Sequence, residues 1–174
     1  MVGGVAESLP FRIGAFDAAL AILTLHHWTD WRRGLTEMRR VATRQVVVTA
    51  DPGEVSRFWL VGRYFPEIGE LDRTRLPLLA EITRALRPCR VEPIPIPHDC
   101  TDGFLAAYWR RPEAYLDPSV RAGISSLALL ASDVVARGVA RLRRDLESGE
   151  WDQRFGHLRK ADALDVGYRL VFAT

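Results

Sequence analysis

Between Phe16 and Thr49 the hydrophobic period switches twice, and that double switch constrains the fold more than any other feature. Phe16 to Leu23 is a short, nearly continuous apolar run, preceded by Gly14 and followed by polar residues. A run of that length without alternation suits a strand buried on both faces, as in a parallel sheet. Trp31, Leu35, Met38 and Val41 or Ala42 then recur at helical spacing, with Thr29 or Asp30 placed as N-cap. Val46, Val47 and Val48 make a second apolar run, which ends at Pro52-Gly53. Strand, helix and strand in that order predict a βαβ unit and place the chain in the α/β class.

Softer patterns follow. Helical spacing returns over Glu54–Phe65, with Pro66 as its expected stop, and from Leu76 to Leu86 before Pro88. In "RVEPIPIPHDC" the prolines 93, 95 and 97 each lack a ladder donor, so the segment Arg90–Ile96 fits only an edge strand. From Thr101 the chain reads as helical for a long way, and Val135, Val139, Leu142 and Leu146 give an amphipathic stripe. "GYRLVFAT" alternates from Tyr168 and predicts a closing strand. The expectation is one domain over residues 1–174, with mainly helical stretches at 54–88 and 101–165.

Composition excludes several functional classes. A formal net charge of +2 is too small to suggest nucleic acid or an anionic membrane as partner. Arg137, Arg141, Arg143 and Arg144 crowd one segment, but Asp145 and Glu147 follow at once, which reads as a solvated helix face. No helix-turn-helix spacing accompanies it. Cys89 and Cys100 show no metal or disulfide spacing, and two free thiols fit a reducing cytoplasm. The apolar run that ends at Leu25 contains Asp17 and is too short to span a bilayer.

Two groups of residues have chemistry to offer. His26 and His27 follow the first predicted strand, and imidazole titrates near neutrality, so either could act as a general base. They also read as a hydrogen-bonded turn. A metal site would need a third ligand, and neighbours in an extended segment point apart. The aromatic residues Phe58, Trp59, Tyr64, Phe65, Tyr108 and Trp109 lie between the later strands and read either as core or as a lid over an apolar substrate.

"GVAESLPF", "FDAALAILTLHHW" and "LTEMRRV", taken in that order and spacing, resemble the middle of class I, S-adenosylmethionine-dependent methyltransferases of the small-molecule type. "PHDCTDGFLAAYWRRPEAYLDP" and "LDVGYRLVFA" resemble the later part of a bacterial subgroup, so the resemblance covers almost the whole chain. It implies a Rossmann-like sheet of seven strands in the order 3-2-1-4-5-7-6, the last antiparallel. Phe16–Leu23 would be the fourth strand, Gln45–Thr49 the fifth, Arg90–Ile96 the sixth and Tyr168–Ala173 the seventh. A large helical insertion would separate the last two. The family's glycine-rich loop would lie upstream of Ala6, and so would the acid that ends the second strand. On this reading the chain is N-terminally truncated and starts inside the fold.

The resemblance implies S-adenosylmethionine as cofactor and an unknown small molecule as methyl acceptor. Val5 and Ala6 match the pair that meets the adenine edge, Val5 through its backbone alone. Ile22 matches a position on the sulfonium side, and it also reads as a plain core residue. Weak cofactor binding and little activity are expected of this chain by itself. The competing expectation is a non-catalytic remnant that pairs with a partner or a second copy through the exposed edge of its first strand.

Overall fold

A computed structural model describes residues 3–174 of the chain. The backbone forms two compact units. One comprises Met1–Pro52, Arg73–Ile94 and Gly167–Thr174, and the other Gly53–Asp72 and Pro95–Val166. In chain order the elements begin with β1 (Phe16–Ile22), α1 (Trp31–Val41) and β2 (Ala42–Ala50). Next come α2 (Pro52–Val55), α3 (Trp59–Tyr64), α4 (Pro66–Arg75), α5 (Leu79–Ala85), β3 (Cys89–Pro93) and β4 (Ile96–Pro97). The chain closes with α6 (Pro118–Ala122), α7 (Ser125–Ala128), α8 (Ser132–Glu147), α9 (Glu150–Phe155), β5 (Ala163–Leu164) and β6 (Tyr168–Ala173). No helix among the described residues is long and apolar enough to cross a membrane.

The first unit is built on a four-stranded sheet in the order β1-β2-β6-β3. β1 and β2 run parallel, with Phe16 opposite Ala42 and Ile22 opposite Val48. β6 lies antiparallel to both β2 and β3. This is the fourth-fifth-seventh-sixth order that the resemblance implies. The Asp30 carboxylate caps α1 by accepting the Arg33 N–H at 3.0 Å. Leu35 and Met38 of α1, with Ile82 and Leu86 at α5, pack on Ala21, Val47, Val171 and Ala173 of the sheet. These four sheet residues share one face, because side chains alternate along a strand. Both helices therefore cover the same face.

That arrangement corrects the expectation that the first strand is buried on both faces. Only Ala21 of β1 is buried, and Leu20 and Ile22, of opposite parity, are 60% and 56% exposed. The apolar run arises from β1's composition and not from a second covering layer. β1 also ends the sheet on one side, so its outer ladder groups face no strand among the described residues.

β3 forms the other edge, as its prolines require. The expected sixth strand is shorter than Arg90–Ile96, however. It stops at Pro93, and Ile96–Pro97 pairs instead with Ala163–Leu164 in a two-stranded ribbon of the second unit. Pro66 proves to be a start and not a stop. It opens α4, where a missing N–H costs nothing. The helical stretch before it is split into α2 and α3, and that after Thr101 into short pieces from Pro112 onward and the 16-residue α8.

The second unit has an aromatic core. Trp59 meets Tyr64, Tyr115 and Trp151 edge-on, with ring centroids 5.9, 5.7 and 5.3 Å away. Phe58, Phe65 and Trp109 are also buried, so the aromatic residues weighed as lid or core are core, with Tyr108 half-buried. Gly138 on α8 permits a close helix crossing, since a Cβ there would lie 2.2 Å from the Phe65 ring and 2.7 Å from the Tyr64 carbonyl oxygen.

Candidate functional site

In open α/β sheets, ligands bind beyond the carboxyl ends of the parallel strands. In the first unit that position falls after Ile22. Leu23 has φ +46°, and its N–H donates to the Val48 carbonyl at 2.9 Å. A branched, non-glycine residue held at positive φ stores backbone strain, and such strain concentrates at ligand sites. The chain then makes a 3-10 turn over Leu25–His27. Leu25 anchors the turn in the core. Trp28 secures its far side, because its indole lies where a side chain on Gly34 would be, 2.4 Å from an ideal Cβ.

Between these anchors His26 is half-buried and His27 exposed. Their rings stand 4.0 Å apart with planes inclined at 43°. The expectation that the two point apart fails, because the backbone here is a turn and does not alternate as a strand does. Burial holds the His26 pKa below the ordinary imidazole value, and the positive charges of His27 and Arg75 lower it further. Near neutrality His26 is an uncharged ring with a free acceptor nitrogen to offer.

The segment carrying Val5 and Ala6 is tied to this same loop. The Ser8 N–H donates to the Val5 carbonyl at 3.1 Å and closes a tight turn. The Glu7 carboxylate accepts the Asp30 N–H at 2.9 Å, three residues beyond His27, and Arg33 Nε donates to the Glu7 carbonyl at 2.8 Å. The Asp30 N–H is also the first cause of the lowered Glu7 pKa. Val5 is exposed and Ala6 half-buried. Glu7 thus fastens the turn that carries Val5 and Ala6 to Asp30 and Arg33, just past His26 and His27 in the chain, while Ile22 ends the strand before them.

Sequence reasoning assigned no part to Glu7, Leu23, Glu37 or Arg40. Glu7 stood in plain view inside "AESLPF", but its partner lies 23 positions away. The strain at Leu23 leaves no mark in composition. Chemically, the candidate site offers an apolar shelf at Ile22, a neutral imidazole at His26 and backbone groups of the 5–8 turn. Among the described residues no set of three or more His, Cys, Asp or Glu side chains could hold a metal ion.

A protein-family profile described as a methyltransferase domain matches residues 1–48. Over 99% of its length the chain is similar to a crystal structure of a protein from Anabaena variabilis ATCC 29413, assigned as a methyltransferase of an antibiotic biosynthesis pathway. Identity is 37%, the TM-score is 0.89, and 72% of that protein is covered. The YcgJ protein of Bacillus subtilis matches at 17% identity and a TM-score of 0.48, over 97% of this chain and 68% of its own. A protein of Bacillus halodurans C-125 assigned as a methyltransferase matches at 14% and 0.44, over 99% and 73%. Among curated proteins none matches.

Proposed function

This chain belongs to the class I, S-adenosylmethionine-dependent methyltransferase family, and from that premise we propose that it serves methyl transfer to a small organic acceptor. The observation that carries the reading is the strained Leu23 turn at the carboxyl end of β1, with exposed Ile22 before it and neutral His26 after it. In this reading His26 takes the proton released by the acceptor's nucleophilic atom, and exposed His27 passes it to solvent. Holding nucleophile and methyl in line supplies most of the rate for such a displacement. The acceptor is taken to be a small molecule because the Anabaena relative is assigned to antibiotic biosynthesis. Two free thiols, Cys89 and Cys100, support a cytoplasmic location.

The residues of this candidate site fit only part of the cofactor. Ile22, Val5 and Ala6 suit its apolar surface. Its ribose diol needs an acceptor such as a carboxylate, and the nearby Glu7 carboxylate is already engaged by the Asp30 N–H. Its amino-acid end needs charged partners that these four residues do not supply. Each polar contact left unmade is worth about 0.5–1.5 kcal/mol, and more when charged. The proposal is therefore that the 174-residue chain binds S-adenosylmethionine weakly and turns over little. Calorimetric titration tests this: no saturation below about 1 mM is expected, and a micromolar Kd would overturn weak binding. Adenine contacts to Val5 and Ala6, read by saturation-transfer NMR, test the family site separately.

A second reading rests on β1. Exposed Leu20 and Ile22 on a strand with one ladder side open make a template for a second copy of the chain. Light scattering is expected to give a dimer, reduced to monomer by Leu20→Lys. A parent chain that stays monomeric at about 100 μM would sink this reading.

A further inference from the structure

The second unit contains an open cleft of about 440 Å3 lined by Arg57, Arg63, Arg141 and Arg154, with Trp59, Phe155 and Gly62. We propose that this cleft is a binding site for a small organic anion with a flat apolar body, such as an aromatic carboxylate. The oxyanion would meet Arg141 and Arg154, and the ring would lie against half-buried Phe155, which buried Trp59 backs. This goes beyond the methyl-transfer reading and does not depend on it.

The charge balance favours an anion. No carboxylate lines the cleft itself. Behind the lining, Arg57 pairs with Glu54 at 2.6 Å and Arg63 with Asp145 at 2.8 Å. Glu150 Oε1 is shared, at 2.6 Å from Arg154 Nε and 3.5 Å from Arg63 Nη2. Three carboxylates thus face four guanidinium groups. Arg141 has no carboxylate partner among the described residues, and its Nη1 donates to the Arg63 carbonyl at 2.9 Å. The terminal nitrogens of Arg154 and the Nη2 of Arg141 find no protein acceptor among the described residues. A guanidinium is a planar fork that matches a carboxylate with two parallel hydrogen bonds. These two carry that fork ready to use.

The floor is rigid. Trp59 Nε1 donates to the Trp109 carbonyl at 3.0 Å, which fixes the indole plane. The Trp59 and Phe155 rings lie 6.0 Å apart, and both pack on Trp151, at 5.3 and 5.8 Å. A flat ligand placed there loses little to reorganisation of the site. The volume is that of a small-ligand pocket. The four arginines come from three stretches, residues 57 and 63 at α3, 141 on α8 and 154 on α9, so the site exists only in the folded unit.

The test is calorimetric titration of the full chain at low salt with 1-naphthoate, its neutral counterpart 1-naphthalenemethanol, and inorganic phosphate. Naphthoate is expected to bind, with the alcohol and phosphate each at least about tenfold weaker, since one lacks the charge and the other the ring. Arg141→Gln should weaken naphthoate at least about tenfold, because a charge-assisted pair is lost. Arg141 has no ion pair to lose, and an unchanged melting temperature will show that the variant is folded. Should it fail to fold, Arg57→Gln, whose ion pair is exposed, replaces it with the same expected direction. Glu150→Gln should tighten naphthoate by releasing Arg63 and Arg154, an effect that a purely structural ion-pair network would not produce. The proposal falls if naphthoate does not bind, if the alcohol or phosphate binds equally well, or if neither the arginine nor the glutamate variant changes its affinity.

Discussion

The Glu37 carboxylate accepts the backbone N–H of Leu9 at 2.8 Å, across 28 positions of sequence. Arg40 completes the clamp. It pairs with Glu37 at 2.8 Å and donates to the carbonyls of Leu9 and Phe11 at 2.8 and 2.7 Å. The segment ahead of β1 is thereby fastened to α1 through one ion pair, and with it the turn that carries Val5 and Ala6.

That clamp gives stability a pH signature. Arg40 first, and the Leu9 N–H next, pull the Glu37 pKa from the ordinary 4.5 down to about 2. The stabilisation is complete above pH 4.5 and is lost as pH falls toward 2, because the unfolded chain takes up the proton earlier. Glu37→Gln is expected to melt roughly 2–4 °C below the parent at pH 7, with the gap closing as pH falls below 4.5. Thermal scans of both proteins across that range decide it, and an unchanged gap at pH 3 would contradict the clamp.

His26 should titrate below 6.5 in an NMR experiment that follows its ring protons. Burial is the first cause, the charge of His27 the second and that of Arg75 the third. Its depressed pKa adds stability above pH 6.5 that is lost as pH falls through and below that value. Replacing His27 by Gln should raise the His26 midpoint, and Arg75→Gln should raise it less. A midpoint at or above 6.5 in the parent would remove the neutral-base assignment.

Gly138→Ala inverts an ordinary expectation. Alanine in a helix interior normally gains up to about 1 kcal/mol over glycine. Here the new methyl would collide with the Phe65 ring and with the Tyr64 carbonyl, which belongs to the backbone and cannot rotate away. A net loss of about 1–3 kcal/mol in urea denaturation is expected. A stabilised variant would show that α3 and α8 cross less closely.

Trp109 and Trp151 are both fully buried, but they differ in one hydrogen bond. Trp109 Nε1 donates to the Ile96 carbonyl at 3.0 Å, whereas Trp151 Nε1 has no acceptor among the described residues. Replacement by Phe removes similar volume at both places. At Trp109 it also removes a hydrogen bond to the Ile96 carbonyl, and at Trp151 it removes an unpaired donor. Trp109→Phe should therefore cost about 0.5–1.5 kcal/mol more than Trp151→Phe by chemical denaturation. Equal losses would mean that packing alone governs both.

Much of the first unit can be read from the sequence. The run at Phe16, the helical spacing from Trp31 and the valines before Ala50 each express a local period, and each element formed close to its expected bounds. Asp30 serves as the N-cap that its position suggested. The strand order came from the resemblance, which carries topology that no local pattern contains. Prolines misled at Pro66, because the same ring that stops a helix in its interior also starts one at its first turn.

The sequence by itself determined the βαβ unit, the antiparallel closing strand and the family. Only the tertiary structure decided that both helices cover one face of the sheet, leaving Leu20 and Ile22 exposed. It also brought the His26 and His27 rings together and gathered four arginines from three stretches into one cleft. The reason is one of range. Periodicity records how a side chain relates to neighbours a few residues away, whereas a face, a clamp or a cleft depends on contacts between segments tens of residues apart.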